Sequence, residues 1–385
     1  MRPAVLVVFV DALGPAQAEL LIDAGLTLPH VTTARGVLGY SSGALPTILT
    51  GVSPEKHGRM CLFARADGQS PLAPLRWLGL LPRVVHERAR LRRYLGRAFA
   101  ASLGYDGYFA LHRVPPALFA QLDVPEKEDL FTAPDIGGAP TFLAAAREAG
   151  LEVGASSWRL PESERVAAIE ARASADLAFL YLSGLDGILH QDGALSARAA
   201  EWARSAVGYV ERARRALAGG RAERRDVRTL VVGDHGMATV RTVVDPRPVV
   251  ARIRAADPRA FAFVDSTMLR VTPTGANQAS VRRALSDLPG VLLDADGLRL
   301  RGAPTDAGYG DLVALLPEGS LFAPSYVGGF VRGMHGYDRT CPSADAAILS
   351  DAPIAGRVTR LEDVAPWVFD ALDLARPAVL PAGAS

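Results

Sequence analysis

Apolar residues along the chain alternate between two arrangements. Continuous apolar runs, typical of strands buried on both faces of a parallel sheet, occur at 4–10, 151–156, 176–182 and 228–232. Segments with helical periodicity lie between and after them, at 16–24, 141–149, 162–173, 195–218 and 361–374. The alternation predicts an α/β fold of the doubly wound type, in which helices cover both faces of a mostly parallel sheet.

Two segments depart from this alternation. Residues 60–134 carry Trp77, several leucines and an arginine-rich amphipathic stretch at 83–97, which predicts a helical lid insertion. We interpret its arginines as a solvated helix face, with an arginine that reaches an anionic substrate as the alternative. Residues 261–330 predict a small α+β insertion, with strand-like stretches at 261–272, 291–300 and 311–316 and a helix at 278–286.

The α/β core is accordingly expected to comprise residues 1–59, 135–260 and 331–385. The chain has 385 residues, of which 49% are hydrophobic, so it can bury a large core. Its formal net charge of +1 gives no reason to expect a nucleic-acid polymer or a membrane as a partner. A small anionic substrate would need a local binding site.

The two cysteines, Cys61 and Cys341, are too few for a disulfide framework and form no zinc-binding Cys-x-x-Cys pattern. We expect a reducing, cytoplasmic compartment. The apolar run that ends at Val10 is too short for a secretory signal and lacks a cleavage site of small residues. No apolar run approaches the roughly 18 residues of a membrane span.

The stretch at 38–58 carries the first candidate for chemistry. Residues 38–40 are predicted to end a strand and 44–50 to form a short helix, with His57 shaping the turn that follows. Ser41 would then lie at a helix N-terminus, where backbone N–H groups and the helix dipole favour an anion and lower the pKa of the hydroxyl. The alternative is that Ser41 is an ordinary helix cap.

Three carboxylates and three imidazoles are predicted at strand ends or in adjoining loops. These candidate metal ligands are Asp11, Asp186, His190, Asp234, His235 and His335. Taken singly, Asp186 and His190 could be a surface ion pair, because a spacing of four places them on one face of a helix. Together with the Ser41 hydroxyl, the set suits two zinc ions that share a phosphate.

These motifs resemble the alkaline phosphatase superfamily, and most closely its nucleotide pyrophosphatase/phosphodiesterase branch. The matching motifs, in the order of that family, are Val8-Phe9-Val10-Asp11, Ser41 with Thr50-Gly51, Pro54-Glu55-Lys56-His57-Gly58, residues 186–193, Gly233-Asp234-His235-Gly236-Met237 and His335-Gly336-Tyr337-Asp338. The resemblance covers the core to about residue 370 but neither insertion, and it implies an alkaline-phosphatase-like sheet.

The resemblance also implies a site with two Zn²⁺ ions, or with Mn²⁺ or another divalent ion in their place. Asp186, His190 and His335 would bind one ion. The other would be bound by Asp11, Asp234, His235 and the Ser41 oxygen. Ser41 would attack the phosphorus of a small phosphorylated substrate and form a covalent phosphoseryl intermediate.

Three positions differ from the family pattern. Ser41 stands where the branch usually has threonine, and Leu189 stands where a glycine commonly precedes the histidine. The branch also clamps the phosphate with an asparagine, whereas the one asparagine of this chain, Asn277, is far from the motif. The predicted replacements are the Ser42 backbone N–H together with Arg59 or Arg65. Oligomeric state is left open.

Several rival functions share this fold. A sulfatase would need a Cys/Ser-x-Pro-x-Arg motif, but Gly43 and Leu45 occupy the proline and arginine positions here. A phosphomonoesterase and a cofactor-independent phosphomutase remain alternatives, as does a binding protein without turnover. Because 41–49 contains no basic residue to meet the extra charge of a monoester, we predict a preference for diesters, whose second substituent packs against the lid.

Overall fold

The structure is a computed structural model that describes residues 3–220, 226–306, 308–354 and 356–378. Its strands are β1 Ala4–Val10, β2 His30–Ala34, β3 Ala64–Arg65, β4 Leu122–Asp123, β5 Asp135–Ile136, β6 Ala139–Pro140, β7 Val153–Ala155, β8 Leu177–Leu182, β9 Val227–Val232, β10 Ala238–Thr239, β11 Thr242–Val244, β12 Phe261–Val264, β13 Met268–Thr272, β14 Val291–Leu293, β15 Leu312–Leu315, β16 Ser320–Phe322, β17 Gly333–Met334 and β18 Ala346–Ser350.

Helices connect most of these strands. They are α1 Pro15–Asp23, α2 Ser41–Thr50, α3 Pro54–His57, α4 Arg83–His86, α5 Ala89–Ser102, α6 Phe142–Glu148, α7 Glu162–Glu170, α8 Gly184–Asp192, α9 Ala197–Gly219, α10 Arg247–Ala256, α11 Gln278–Leu285, α12 Ala295–Arg299 and α13 Val364–Ala371. Short 3₁₀ turns include Ala73–Leu80, Pro116–Gln121 and Leu361–Asp363.

The central sheet has the order β2-β18-β9-β1-β8-β7 within the described residues. Strand β1 pairs in parallel with β8 on one side and β9 on the other, and β7 pairs in parallel with β8. Strand β18 runs antiparallel to both of its neighbours. The prediction of a mostly parallel α/β sheet with helices on both faces is therefore confirmed.

Each face of β1 contributes to a separate hydrophobic core. Alternate side chains of a strand point to opposite faces, and every residue of β1 is buried. Val5, Val7 and Phe9 pack towards α2, α6 and α13. Leu6 and Val8 pack against α1 and against the buried face of α9, which consists mostly of alanines. Burial on both faces explains why β1 is a continuous apolar run.

The segment before α2 differs from the prediction. Residues 38–40 do not form the expected strand, because Tyr40 N–H donates to Met60 O at 3.1 Å and this contact turns the chain. Gly39 has φ +125°, and a Cβ there would collide with Met60 O. The helix itself begins at Ser41 and Tyr40 is its N-cap residue, so the predicted position of Ser41 at a helix N-terminus is confirmed.

His57 contacts both α2 and the turn that follows it, the turn that the sequence analysis expects it to shape. The His57 imidazole is buried, and burial lowers its pKa to about 3. Its Nδ1 accepts from Arg59 N–H at 3.2 Å, so the other ring nitrogen carries the proton and faces Thr47 Oγ1 at 2.9 Å. A neutral histidine therefore joins the helix to the chain that follows it.

The region from residue 261 contains an antiparallel sheet of order β12-β13-β15-β14 within the described residues, covered by α10 and α11. The predicted strand at 261–272 is a hairpin, β12 and β13. The predicted strand at 291–300 is wrong after Leu293: the Asp294 side chain accepts from Gly297 N–H and caps α12. Aspartate is a favoured N-cap residue, so the sequence at Asp294 favours the start of a helix over a longer strand.

The segment at 60–134 contains α4, α5, two 3₁₀ turns and the two-stranded sheet β3-β4. Its apolar cluster includes Phe63 and Phe119, and Phe261 and Phe263 from β12 complete it. We propose that the segments at 60–134 and 261–330 are two insertions into the α/β core that pack as one layer, because they share this cluster.

Candidate active site

The sheet brings three acidic residues to one edge. Asp11 directly follows β1, and its backbone N–H donates to Leu182 O at the end of β8 (2.9 Å). Asp186 lies two residues into α8, which follows β8, and Asp234 lies two residues beyond β9. Because β8, β1 and β9 are adjacent and parallel, their carboxyl ends deliver these side chains to a common cleft.

Backbone donors hold Asp234 in place. Its Oδ1 accepts from Ala12 N–H and from His235 N–H, each at 3.0 Å. Ala12 adopts φ +63°, a left-handed conformation that is uncommon outside glycine. Gly233 permits the close crossing of the two loops, since a Cβ there would collide with Leu13 O. The loop after β1 therefore orients the carboxylate after β9.

Ser41 lies at the mouth of this cleft, at the first position of α2. Its Oγ is 3.0 Å from His235 Nε2 and donates to Asp11 Oδ1 at 3.4 Å. The His235 Nε2 is also 3.1 Å from Asp234 Oδ2. Ser41, Asp11, Asp234 and His235 thus form one contiguous group.

A second group lies beside the first. His190 Nε2 is 3.2 Å and His335 Nε2 is 3.8 Å from Asp186 Oδ1. The His190 Nδ1 lies 2.8 Å from Gly333 O, which fixes the orientation of its ring. The His335 ring stacks on that of His235 with centroids 3.7 Å apart. All seven residues predicted for the metal site and nucleophile are therefore brought together.

Burial and neighbouring charges shift the pKa values of this cluster strongly. Burial raises the pKa of Asp11 well above its ordinary value, and the nearby charges of Asp234 and Asp186 raise it further. For His235, burial opposes the charged form, but Asp234 outweighs it and raises the pKa to about 9. Burial and the charge of His235 hold the pKa of His335 well below the usual range. Three carboxylates this close together, Asp11, Asp186 and Asp234, are typical of a site that binds cations.

The residues fit divalent metal ions. Two sets, Asp186 with His190 and His335, and Asp11 with Asp186 and His235, present ligand atoms within 4.8 Å of one another. All of these donors are nitrogen or oxygen atoms, as zinc accepts. The buried Nδ1 of His335 has no hydrogen-bond partner among the described residues. Asp186 contributes to both sets, which places the two candidate metal positions side by side.

Tyr181 is a site residue that the sequence analysis missed. Its hydroxyl donates to Asp11 Oδ2 at 3.0 Å, and the Arg165 guanidinium lies 4.8 Å from the centroid of its ring. Burial and the charge of Asp11 raise the pKa of Tyr181 well above its ordinary value. The available signal was a single hydroxyl in the otherwise apolar strand β8, near the end that faces the cleft.

The predicted substrate-binding residues occupy different places. Ser42 is the second residue of α2, and its buried Oγ has no hydrogen-bond partner among the described residues. Arg59 is half-buried; burial lowers its pKa, which the charge of Glu126 partly offsets. Arg65 is exposed on β3. Neither arginine forms a hydrogen bond with Ser41 or Ser42 within the part of the chain that the structure describes.

The lid approaches the cleft at Tyr108. Its ring lies edge-on to Trp158, with centroids 5.6 Å apart, and its N–H donates to Glu126 Oε1 at 3.1 Å. Burial raises the pKa of Tyr108, and the charges of Glu126, Asp186 and Asp11 add to this effect. Tyr108 of the lid and Trp158 of the loop between β7 and α7 thus form an aromatic pair near the acidic cluster.

Fold and site together define a hydrolase of the alkaline phosphatase superfamily. The type I phosphodiesterase/nucleotide pyrophosphatase family matches residues 40–338, and the chain belongs to this family. It is therefore a phosphoric ester hydrolase, and the family assignment made from the sequence motifs is confirmed. The chain matches no curated protein.

Solved structures show the same fold. Murine ectonucleotide pyrophosphatase/phosphodiesterase 5 is 16% identical with a TM-score of 0.67, over 99% of this chain and 97% of that one. The human protein of the same name is 14% identical with a TM-score of 0.65, over 99% and 97%. An inactive variant of the murine protein in complex with AMP is 17% identical with a TM-score of 0.65, over 100% and 98%.

Helices capable of spanning a membrane are absent from the described residues, since none combines sufficient length with sufficient apolar character.

Proposed function

We propose that this chain is a phosphodiesterase of the nucleotide-pyrophosphatase type that uses Ser41 as its nucleophile. The observation that carries the proposal is the position of Ser41 Oγ, at the N-terminus of α2, 3.0 Å from His235 Nε2 and 3.4 Å from Asp11 Oδ1. A serine that only caps a helix is not expected to contact both a histidine and a carboxylate at the carboxyl end of a parallel sheet.

We assign the ligands of two divalent ions to the two groups described above. Asp186, His190 and His335 would hold one ion. The other would be held by Asp11, Asp234, His235 and Ser41 Oγ. When bound, the ions would supply positive charge to the phosphate and favour the ionised hydroxyl. Zinc is our assignment because all the donors are nitrogen or oxygen, with Mn²⁺ as the alternative.

The chemistry of the chain itself consists of two displacements. In the first, Ser41 Oγ bonds to phosphorus while the bond to the leaving alkoxide breaks, and the serine proton passes through solvent water to the departing alkoxide. In the second, a water oxygen bonds to the same phosphorus while the bond to Ser41 Oγ breaks. A proton from that water returns to Ser41 Oγ, and the phosphate monoester leaves. The N–H of Ser42 would contact a non-bridging oxygen, because it lies at the start of α2, ahead of the Gly43 N–H that makes the first bond to the N-cap carbonyl of Tyr40 (2.7 Å).

Arg59 is our choice over Arg65 as a supporting cation for the phosphate. The backbone at Arg59 and Met60 lies against Gly43 in the first turn of α2, and the Arg59 side chain is half-buried, whereas Arg65 is exposed. A half-buried guanidinium interacts more strongly with an anion than an exposed one, since solvent screens it less.

The proposed substrate is a small phosphodiester or pyrophosphate with an aromatic or nucleoside group. The Tyr108–Trp158 pair supports this choice, because a flat group of the substrate could pack against it beside the acidic cluster. The AMP complex of the murine relative is consistent with it. We also propose a cytoplasmic location, which the two free cysteines support.

Paired kinetics test the proposed function. Metal-loaded protein is assayed with bis-p-nitrophenyl phosphate and with p-nitrophenyl phosphate. We expect kcat/KM for the diester to exceed that for the monoester. A monoester value higher by tenfold, which is about 1.4 kcal/mol of transition-state preference, would assign the chain to the monoesterases. A second assay uses phosphosugars as substrates. A phosphomutase would transfer the phosphate within the substrate and release no inorganic phosphate.

A further inference from the structure

Four large apolar side chains of the lid are exposed. The exposed fractions are 45% for Trp77, 87% for Leu80, 68% for Val84 and 71% for Tyr94. These residues fall within eighteen positions of the sequence, on the 3₁₀ turn Ala73–Leu80, α4 and α5. Single exposed apolar residues are ordinary on protein surfaces, but a group of this kind indicates an interaction surface.

Local geometry directs these side chains outwards. In the 3₁₀ turn, residues three apart share a face, so Leu75 and Leu78 are buried in the lid core while Trp77 and Leu80 lie on the exposed side. In α5 the buried residues are Arg92 and Gly96, and Tyr94 lies on the opposite side. The apolar cluster that the lid shares with β12 therefore does not include these exposed residues.

Positive charge is concentrated on the same segment. Residues 73–104 contain seven arginines and one acidic residue, Glu87, although the whole chain has a formal net charge of only +1. The arginines with exposed side chains are Arg76, Arg88, Arg90, Arg93 and Arg97. Arg92 is instead structural, because it donates to His86 O and to Val114 O, each at 2.7 Å.

We propose that this basic apolar face, formed by Trp77, Leu80, Val84 and Tyr94 with the five exposed arginines, docks on the surface of an anionic lipid bilayer. Aliphatic and aromatic side chains enter the boundary between head groups and acyl chains, and arginines attract anionic head groups. A nucleic acid would use the arginines but would leave Leu80 and Val84 in water. The inner leaflet of the cell membrane presents the required anionic surface.

This proposal departs from the expectation that the lid arginines are merely solvated and that no membrane is a partner. It concerns peripheral binding, which requires no spanning helix, and it is independent of the chemistry proposed for Ser41. The sequence pattern does not show which apolar residues of the lid are exposed. Their exposure in the structure is the reason for the new interpretation.

Vesicle sedimentation tests the proposal. Full-length protein is mixed with vesicles of phosphatidylcholine alone or with added phosphatidylglycerol, and the bound fraction is measured. We expect binding to the anionic vesicles, reduced at high salt. The double variant Leu80→Ser, Val84→Ser should bind roughly tenfold more weakly, and Arg90→Gln, Arg93→Gln should do the same.

Matched controls use apolar residues exposed elsewhere. Leu300 is 82% exposed and Val243 is 49% exposed, so Leu300→Ser, Val243→Ser removes similar apolar area from other parts of the surface. This control should bind like the unaltered protein, and all variants should hydrolyse a water-soluble diester equally. No binding to anionic vesicles, or binding that Leu80→Ser, Val84→Ser does not weaken, would overturn the proposal, including the case in which the protein binds RNA instead.

Discussion

Tyr181 and Asp11 are joined by a hydrogen bond of 3.0 Å, from the tyrosine hydroxyl to Asp11 Oδ2. The bond follows from the register of the sheet, in which Phe9 pairs with Tyr181 and Val10 pairs with Leu182. Asp11 Oδ1 meanwhile accepts from Ser41 Oγ. One carboxylate therefore links the strand that Tyr181 occupies to the proposed nucleophile.

We predict that Tyr181→Phe weakens metal binding at the Ser41 side of the site. The ring, with its packing against Phe9 and Arg165, is retained, and only the donor to Asp11 is lost. Loss of a hydrogen bond to a metal ligand typically lowers metal affinity roughly 10- to 100-fold. Metal content after dialysis against graded chelator concentrations measures this effect.

Tyr309→Phe is the matched control. It also removes a tyrosine hydroxyl, one that donates to Gly58 O at 3.1 Å away from the carboxylate cluster. It should leave metal affinity unchanged. If both variants retained metal equally well, Tyr181 would have no role in positioning Asp11.

Ser41→Ala is expected to lower kcat by roughly a thousandfold or more, because the attacking oxygen is removed. Ser42→Ala should be much milder, since the backbone N–H that we assign to the phosphate is retained. Ser41→Thr, which keeps a hydroxyl, should retain measurable turnover. An active Ser41→Ala together with an inactive Ser42→Ala would mean that the nucleophile has been assigned one residue too early.

Asp234→Asn is expected to reduce bound metal from about two ions per chain towards one. The asparagine oxygen can still accept from Ala12 N–H and His235 N–H, so the loops keep their support while the charge is lost. Elemental analysis of purified protein measures the stoichiometry. Asp351→Asn, at an aspartate that accepts from Thr229 N–H in the sheet, serves as the control and should keep both ions.

Glu126 provides a test of lid electrostatics through pH. Burial raises its pKa to about 7 in the folded protein, from an ordinary value near 4.5. The native state therefore binds the proton more tightly than the unfolded state, and the contribution of Glu126 to stability falls as pH rises from about 4.5 to about 7. Above that range the buried charge carries its full penalty.

Glu126→Gln should accordingly raise the free energy of unfolding at pH 8 by about 1 kcal/mol or more and change it little at pH 4.5. The glutamine oxygen can still accept from Tyr108 N–H. Denaturant unfolding at the two pH values measures the difference. Equal effects of the substitution at both values would show that the charge of Glu126 is not buried in the folded lid.

The parts of the fold closest to the sheet were predictable from the sequence. Strands β1, β8 and β9 are buried on both faces, so their apolar runs stand out, and the acidic residues that follow them mark the cleft. The position of Ser41 at a helix N-terminus was predictable from the turn before it. The sequence pattern was sufficient for elements whose structure depends on burial of the strand and on the direction in which it runs.

Other features depend on contacts between distant residues. Tyr181 pairs with Asp11 across 170 positions, and Tyr108 meets Trp158 only once the lid has folded over the sheet. The absence of a strand at 38–40 likewise depends on the contact between Tyr40 and Met60. Periodicity carries no information about such contacts. The residues proposed to pack against the substrate, Tyr108 and Trp158, were therefore the least predictable part of the site.

The most direct test of the central claim, that Ser41 forms a covalent intermediate, is the stereochemistry at phosphorus. A chiral phosphorothioate diester is hydrolysed in water enriched in heavy oxygen, and the configuration of the product is determined. Each in-line displacement inverts the phosphorus, so two successive displacements predict overall retention. Overall inversion would show that water attacks the substrate directly, and it would contradict the role assigned here to Ser41.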